Sequence, residues 1–433
     1  MSERRDIKIV VPVLARVEGE GALSFTAREG QIEDLKLTIF EPPRLFEKFL
    51  EGRTYHEVPD MVARICGICP VAYQMSAVQA LESVFGIEPE PWVQAMRRVM
   101  YCGEWIQSHA LHIHLLAAPD FLGYSSAIEM AATEHAAIVQ RGLRLQGLGN
   151  NLIALFGARS VHPVGVCVGG FHHAPSLMAV DAIYQKLEQA LEDAEAMITW
   201  TAALPLPDDP QEFVSVALGH PHEYAFDQGH VISSEGLKIN INEYEQHIVE
   251  HQVPHSTALH ALLHGQPYLV GPLARLNLNQ QQLPPAIREL IQKAGITFPS
   301  QNMFHSIVAR AIEIYFAIAE AKRLLEDYQV PLSSKQKVTP KAGIGYGCTE
   351  APRGTLWHRY ELDSQGKILK ANLVPPTSQN QARMEADLRR SLQAYGLQHS
   401  DDELRLRGEM VIRNYDPCIS CATHFLKIKV DRP

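Results

Sequence analysis

A chain of 433 residues, 46% hydrophobic and 20% charged, can bury a large core and has ordinary soluble globular composition. Its formal net charge of -10 argues against a nucleic-acid-binding protein, which needs a basic face. No apolar run reaches the roughly 18 residues of a membrane span, and the N-terminus, MSERRDIKIVVPV, lacks the apolar core and cleavage site of a signal peptide.

Residues 6–13 and 19–27 alternate apolar and polar positions, and a turn at Arg28–Gly30 leads into a third such segment at 31–40, which predicts an antiparallel meander. After the Pro42–Pro43 break the period becomes helical, at 43–51, 69–85 and about 92–117, and again at 125–156, 177–203 and 301–328. Residues 205–280 mix short strands with turns rich in Gly, Pro and His. Segments 355–363 and 367–374 flank the turn Asp363–Gly366 as a hairpin, and helices follow at about 380–395 and 401–414. No internal repeat, low-complexity tract or linker interrupts the chain. The expected fold is α+β: one large helix-rich unit over 1–433, with an N-terminal β meander in 1–40, a C-terminal β hairpin, and the active site where the N- and C-terminal segments meet.

Of the seven cysteines, four form two Cys-x-x-Cys pairs, Cys66 with Cys69 in ARICGICP and Cys418 with Cys421 in YDPCISCATH. That pattern suits a reducing compartment, the cytoplasm by default, and metal ligation better than a disulfide framework. Two intervening residues let both sulfurs face one ion across a tight turn. Brought together, the pairs would clamp the first third of the chain to its last residues. Thiolate spacing alone leaves open a structural zinc, an iron–sulfur cluster and a catalytic metal centre. Zinc ribbons close short loops, however, whereas most of the chain separates these pairs. Neither pair has the strand-then-helix context of a thioredoxin motif. Cys102, Cys167 and Cys348 lack paired spacing and read as small buried hydrophobes. The 20 histidines, including His109, His112 and His114 on one predicted helix, read mainly as packing and hydrogen-bonding groups.

RICGICP at Arg64–Pro70 and DPCISCATH at Asp416–His424 resemble the two signature segments of nickel–iron hydrogenase large subunits. ARVEGEG (Ala15–Gly21), PRLFEKFLEGR (Pro43–Arg53), VGPLARLN (Val270–Asn277), APRG (Ala351–Gly354) and NLVPPTSQN (Asn372–Asn380) are similar to segments of the same family in the same order. The resemblance implies nickel held by Cys66 and Cys418 as terminal thiolates, with Cys69 and Cys421 bridging to an iron that carries carbon monoxide and cyanide. It implies reversible heterolytic cleavage of dihydrogen, the proton passing to a base such as the Cys418 thiolate. Glu18 would relay that proton; on its own, a Glu in RVEGEG is more often a solvated turn residue. Arg353, otherwise an ordinary surface cation, would stand over the open metal position with Asp416 as its partner. Pro376 and Thr377 would line the pocket of the diatomic ligands. Glu47, His424 and the carbonyl of Leu373 would form a second site, for magnesium or iron.

Two positions depart from the family pattern: Tyr73 where a His is frequent, and Ser108 where an acid is frequent. Both point to the soluble NAD(P)-linked, sulfhydrogenase-like branch. The chain has no cysteines spare for iron–sulfur relays and no G-x-G-x-x-G motif. An iron–sulfur small subunit and then a flavin subunit that reduces NAD(P)+ are therefore the expected partners. Family precursors lose the segment after the final His of the second signature, here 425–433, to a maturation endopeptidase. Rival readings are a hydrogenase coupled to a deazaflavin or a membrane module, a metal-free complex I-like relative, and a structural-zinc scaffold. The four cysteines count against the metal-free relative.

Overall fold

The computed structural model describes residues 6–224 and 226–424; the expected tail segment, 425–433, lies outside the described residues. Strands β1 (Ile7–Val11), β2 (Gly21–Arg28) and β3 (Gln31–Ile39) form an antiparallel sheet in that order. Their alternation works as expected: Ile7, Ile9 and Val11 face inward with Leu23, Phe25 and Ala27.

Two short helices follow, α1 (Phe46–Leu50) and α2 (Val58–Val62), and only the first is legible as helical period. α3 (Pro70–Phe85) starts directly after the first cysteine pair, with Pro70 in its first turn, where the missing N–H costs nothing. α4 (Pro91–Leu111) runs on as a π-helix over His112–Ala117 and then α5 (Ala118–Leu122). The expected helix over 125–156 is broken into α6 (Ala127–Ala131) and α7 (Ala136–Gly157). At the break the Thr133 hydroxyl donates to the Met130 carbonyl and accepts the His135 N–H, which competes with the helical ladder. A small hairpin, β4 (Val166–Cys167) and β5 (Gly170–Phe171), precedes the long α8 (Leu177–Ala202).

The next segment holds the sheet β6 (Val216–Gly219), β7 (His230–Ser233), β8 (Lys238–Ile239), then α9 (Tyr244–His247) and the hairpin β9 (Ile248–Gln252) with β10 (Leu259–Leu263). α10 (Pro272–Asn279) and α11 (Pro285–Lys293) are helices that the Gly- and Pro-rich local sequence hides. α12 (Ser306–Leu325) is buried along most of its length. The expected hairpin is the second half of a three-stranded sheet, β11 (Gly343–Ala351), β12 (Gly354–Leu362), β13 (Ile368–Val374), whose first strand carries three glycines and was not expected from the sequence. α13 (Pro376–Tyr395), α14 (Asp401–Asn414) and the short α15 (Ile419–Ala422) complete the chain. One buried hydrophobic cluster extends from Ile7 to Ala422, so both ends of the described chain share a core.

The glycines of β11 set the site's frame. A Cβ on Gly347 would lie 1.9 Å from the Ser76 carbonyl oxygen of α3, so only a glycine lets the helix press against the strand. That contact holds Cys69, at the start of α3, in register with the turn after β11. Gly347→Ala is expected to destabilise the chain by at least about 1–3 kcal/mol, as overpacking of a close-packed interior does. A denaturant midpoint unchanged from wild type would contradict this packing account.

The three helical histidines are packing groups, as expected. His109 bonds Glu313 at 2.8 Å, His112 the Arg413 carbonyl at 2.8 Å, and His114 the Ala110 carbonyl at 3.0 Å. Burial lowers all three, His109 to about 4 and His114 to about 3, so they stay neutral at ordinary pH.

Candidate metal centre

Each cysteine pair lies where a tight turn opens a helix. Cys66 and Cys69 precede α3, and Cys418 and Cys421 bracket the start of α15. The four sulfurs converge: Cys66 to Cys418 is 3.2 Å, Cys69 to Cys421 3.5 Å and Cys418 to Cys421 3.0 Å. All four residues are buried, and their sulfurs lie within 4.8 Å of one another. These separations far exceed the roughly 2.05 Å of a disulfide. They match donors arranged round an ion, since metal–sulfur bonds near 2.3 Å place thiolates about 3–4 Å apart. The donor set therefore fits a soft metal centre. Hydrogen bonds from Cys418, Cys421 and Cys69 hold the Cys66 thiol well below its ordinary value, while burial pushes Cys418 and Cys421 up. Loading a metal must consequently expel protons from the buried thiols.

Several chain segments hold the two pairs in place. Arg44 donates to the carbonyls of Ile65 (2.6 Å) and Ser420, and its own N–H bonds the Thr423 carbonyl at 2.7 Å. One guanidinium thus ties the first pair to the second. Glu104 on α4 accepts the N–H groups of Val71 (2.6 Å) and Ala72 (3.0 Å), capping α3 immediately behind Cys69. Gln107 donates to the Ile68 carbonyl at 2.5 Å. None of the three was identified from the sequence. Arg44 lies inside the PRLFEKF segment and was findable there; Glu104 and Gln107 carry no local signal.

Glu18 pairs with Cys418 in an isolated parallel bridge, its carbonyl accepting the Ile419 N–H at 3.0 Å. Its carboxylate accepts the Ser420 N–H, also at 3.0 Å. Burial, then the charge of Cys66, push the Glu18 carboxyl above its ordinary range, against hydrogen bonds from Ser420 and Cys418. Glu20, its neighbour in sequence, is exposed.

Arg353 occupies the turn between β11 and β12. Its Nε donates to the Asp416 carbonyl at 2.7 Å, Nη2 to Asp416 Oδ1 at 3.0 Å and Nη1 to Ser108 Oγ at 3.3 Å. Burial opposes its charge, but Asp416 and then Cys418, Cys69 and Cys66 outweigh burial, so the guanidinium stays protonated. Asp416 adopts φ 56°, a left-handed conformation that Asp tolerates better than most residues. The turn is braced from behind by Arg275 in the VGPLARLN segment. Arg275 bonds both oxygens of Glu313 at 2.7 Å, Glu350 at 3.0 Å, and the carbonyls of Ala351 (2.9 Å) and Pro352 (3.0 Å). Burial alone would raise Glu313; the Arg275 charge wins and holds it down to about 2.

Pro376 opens α13, and Thr377 Oγ1 accepts the Cys418 N–H at 3.1 Å. Tyr73 is fully buried, and burial and then the charge of Cys421 keep its phenol neutral. A second cluster adjoins the first. His424 bonds the Leu373 carbonyl through Nε2 (2.8 Å) and the Cys421 carbonyl through Nδ1 (2.6 Å), with Glu47 Oε1 3.5 Å from Nε2. Glu47 also accepts the Leu373 N–H at 2.8 Å. Glu47 raises His424 against its burial, and two carbonyl partners suit an imidazolium, so a positive charge is favoured at this point. Oxygen donors with one imidazole fit a divalent cation there.

The remaining cysteines stay outside both clusters: Cys102 and Cys348 are buried and burial raises their thiols. No helix among the described residues is long and apolar enough to cross a membrane.

A family model described as nickel-dependent hydrogenase matches residues 44–143 and 255–424. Sulfhydrogenase 1 subunit alpha of Pyrococcus furiosus is 32% identical over 98% of this chain and 99% of that protein. The HoxS subunit beta of the NAD-reducing hydrogenase of Cupriavidus necator is 27% identical over 97% of this chain and 95% of that one. A crystal structure of an NAD+-reducing [NiFe]-hydrogenase in the H2-reduced state superposes with TM-score 0.86 at 28% identity, covering 96% of this chain and 99% of that one.

Proposed function

The chain belongs to the nickel-dependent hydrogenase family as a large subunit, and on that basis we propose that it works as the catalytic subunit of a cytoplasmic hydrogenase linked to NAD(P)+. The observation that carries this reading is the convergence of four buried thiols beside the half-buried Glu18 carboxyl and the buried Arg353 guanidinium. When bound, a nickel–iron centre with carbon monoxide and cyanide on the iron supplies a soft, electron-rich position for dihydrogen.

The chain's own residues do the rest. Cys66, Cys69, Cys418 and Cys421 would hold that centre. The Cys418 thiolate takes the proton and Glu18, joined to it by the parallel bridge, carries it outward. A raised carboxyl pKa brings Glu18 toward the working pH, where a relay must both accept and release. Arg353 and Asp416 orient the reacting molecule. Thr377, which accepts the Cys418 N–H, keeps its own hydroxyl proton and, with Pro376, would line the pocket of the diatomic ligands. Glu47, the Leu373 carbonyl and His424 would hold magnesium or iron, and their mutual bonds pin the C-terminal segment to the core.

The chain acts as one domain, which the larger of two buried clusters among the described residues supports by running from Ile7 to Ala422. Electrons leave through an iron–sulfur small subunit and then a flavin subunit, because among the described residues no cysteine outside the two pairs joins a ligand cluster. The small subunit covers the first signature, where Gly67 at the tip of the turn is exposed. Similarity to an NAD-reducing subunit and to an NAD+-reducing [NiFe]-hydrogenase structure supports this carrier.

An infrared spectrum of the purified complex tests the centre. Bands in the metal-bound carbonyl and cyanide region are expected; a silent spectrum with zinc as the sole metal would end the proposal. Glu18→Gln should lower turnover about 100- to 10000-fold, the span associated with a lost proton-transfer group, while leaving those bands in place. Retained turnover in that variant would move the relay elsewhere. A maturation endopeptidase is expected to remove residues 425–433, leaving His424 terminal. An intact mass of active protein that still includes Pro433 contradicts this.

A further inference from the structure

Outside the thiol cluster, the segment from α9 through the β9–β10 hairpin carries five histidines, His247, His251, His255, His260 and His264. Strand pairing sets His251 opposite His260, with ring centroids 5.7 Å apart. His255, in the turn between the strands, brings its ring within 5.9 Å of His260. α13 adds a carboxylate: Glu385 Oε1 lies 2.7 Å from His255 Nε2 and also accepts the Leu37 N–H of β3 at 2.9 Å. His255, His260 and Glu385 each offer one donor atom within 4.8 Å of the other two.

His260 supplies a second and independent sign. It is 2% exposed, yet its Nε2 is buried with no hydrogen-bond partner among the described residues. Buried polar groups are rarely left so, and each exception calls for a cause. In the tautomer that leaves Nε2 unprotonated, such a nitrogen can serve as a metal donor. The two other side chains are 20% and 21% exposed, which leaves an entry path from solvent above the buried ring.

We infer that His255, His260 and Glu385 form a site for a divalent transition ion of the zinc class, one that joins the β9–β10 hairpin to α13. Two imidazoles and a carboxylate suit such borderline ions; magnesium and calcium prefer all-oxygen shells. Donors 2.0–2.2 Å from a tetrahedral ion stand about 3.3 Å apart. The His255–Glu385 contact must therefore open by about half an ångström, within reach of two partly exposed side chains. The Leu37 N–H orients the carboxylate as an outer-sphere contact does in metal sites. His251 or water completes the shell. Because α13 begins at Pro376–Thr377, which contacts Cys418, an ion here braces the helix that supports the thiol centre. The inference rests on the hairpin and Glu385 of α13 and holds whatever chemistry the thiols perform.

The test uses the full chain, stripped with a chelator, given Zn2+ and crystallised, with anomalous maps recorded at the zinc edge. The map locates each ion, so zinc at the four cysteines is distinguished from zinc at the histidines. A peak bonded to His255, His260 and Glu385 is expected, absent in His260→Phe. Should that buried variant fail to fold, Glu385→Gln, changed at a partly exposed position, carries the comparison. It should weaken zinc binding at this site at least about 10-fold, the lower bound for disturbing even an outer-sphere partner. Zinc at the thiols alone, or undiminished zinc at the histidines in Glu385→Gln, overturns the inference.

Discussion

Cys418→Ser is expected to abolish hydrogen turnover and to strip nickel from the complex. The Cys418 sulfur lies 3.2 Å from Cys66 and 3.0 Å from Cys421, with no part of the residue exposed. A serine hydroxyl is a hard donor that stays protonated at any working pH, so the substitution removes a soft ligand and the first proton acceptor together. Losing several kcal/mol of charge stabilisation corresponds to a fall of about 1000-fold or more in rate. The fold should suffer far less. A buried hydroxyl without a partner costs about 1–3 kcal/mol, and the Glu18 backbone bond to Ile419 is untouched. Nickel content by elemental analysis, hydrogen uptake and a thermal melt separate these effects. Cys102→Ala is the control: Cys102 is equally buried, and its loss should lower stability while leaving nickel and turnover intact. A Cys418→Ser complex that keeps nickel and oxidises hydrogen would break the assignment of the centre.

Arg353→Lys should keep the metal and lose about 100- to 1000-fold in turnover, the loss typical when one preorganised charged donor is removed from a dry site. Arg353 holds three partners at once, the carbonyl and carboxylate of Asp416 and the hydroxyl of Ser108. A lysine ammonium keeps the charge but cannot span them as a planar fork. Arg353→Met differs instructively. It leaves the Asp416 carboxylate in a buried site without its cation, and removing one member of a buried pair destabilises by about 3–5 kcal/mol. Asp416 Oδ2 already lacks a hydrogen-bond partner among the described residues, so only the nearby charge of Arg310 would offset part of the loss. The pair of variants distinguishes a positioned charge from a structural clamp. Lysine should lower turnover with stability nearly kept, methionine should lower both. Equal losses of stability in the two would make Arg353 a packing residue.

Much of the site was legible because its chemistry is written in adjacent residues. Cys-x-x-Cys states its own geometry, and the R-x-E-G and APRG turns carry Glu18 and Arg353 in recognisable settings. The N-terminal meander was legible for a related reason: alternation over 5 to 9 residues is a local property. β11 was not, since its three glycines erase the alternation and exist to admit the backbone of α3. The helices α10 and α11 were hidden in the same way, each opening on a proline that reads as a break.

The soft donors were determined by the sequence alone, because softness and charge belong to the side chain wherever it lies; which metal they suit was not, and that reading came from the resemblance of the flanking segments. Only the tertiary structure decided how those donors are held. The Arg44 bridge between the two pairs, the Glu104 cap behind Cys69 and the five bonds of Arg275 beneath the Arg353 turn join segments far apart in the chain. Such contacts leave no period or spacing to read. Each is a single buried polar group meeting its partner, and the partner is chosen by how helices and sheets pack rather than by any neighbour in sequence.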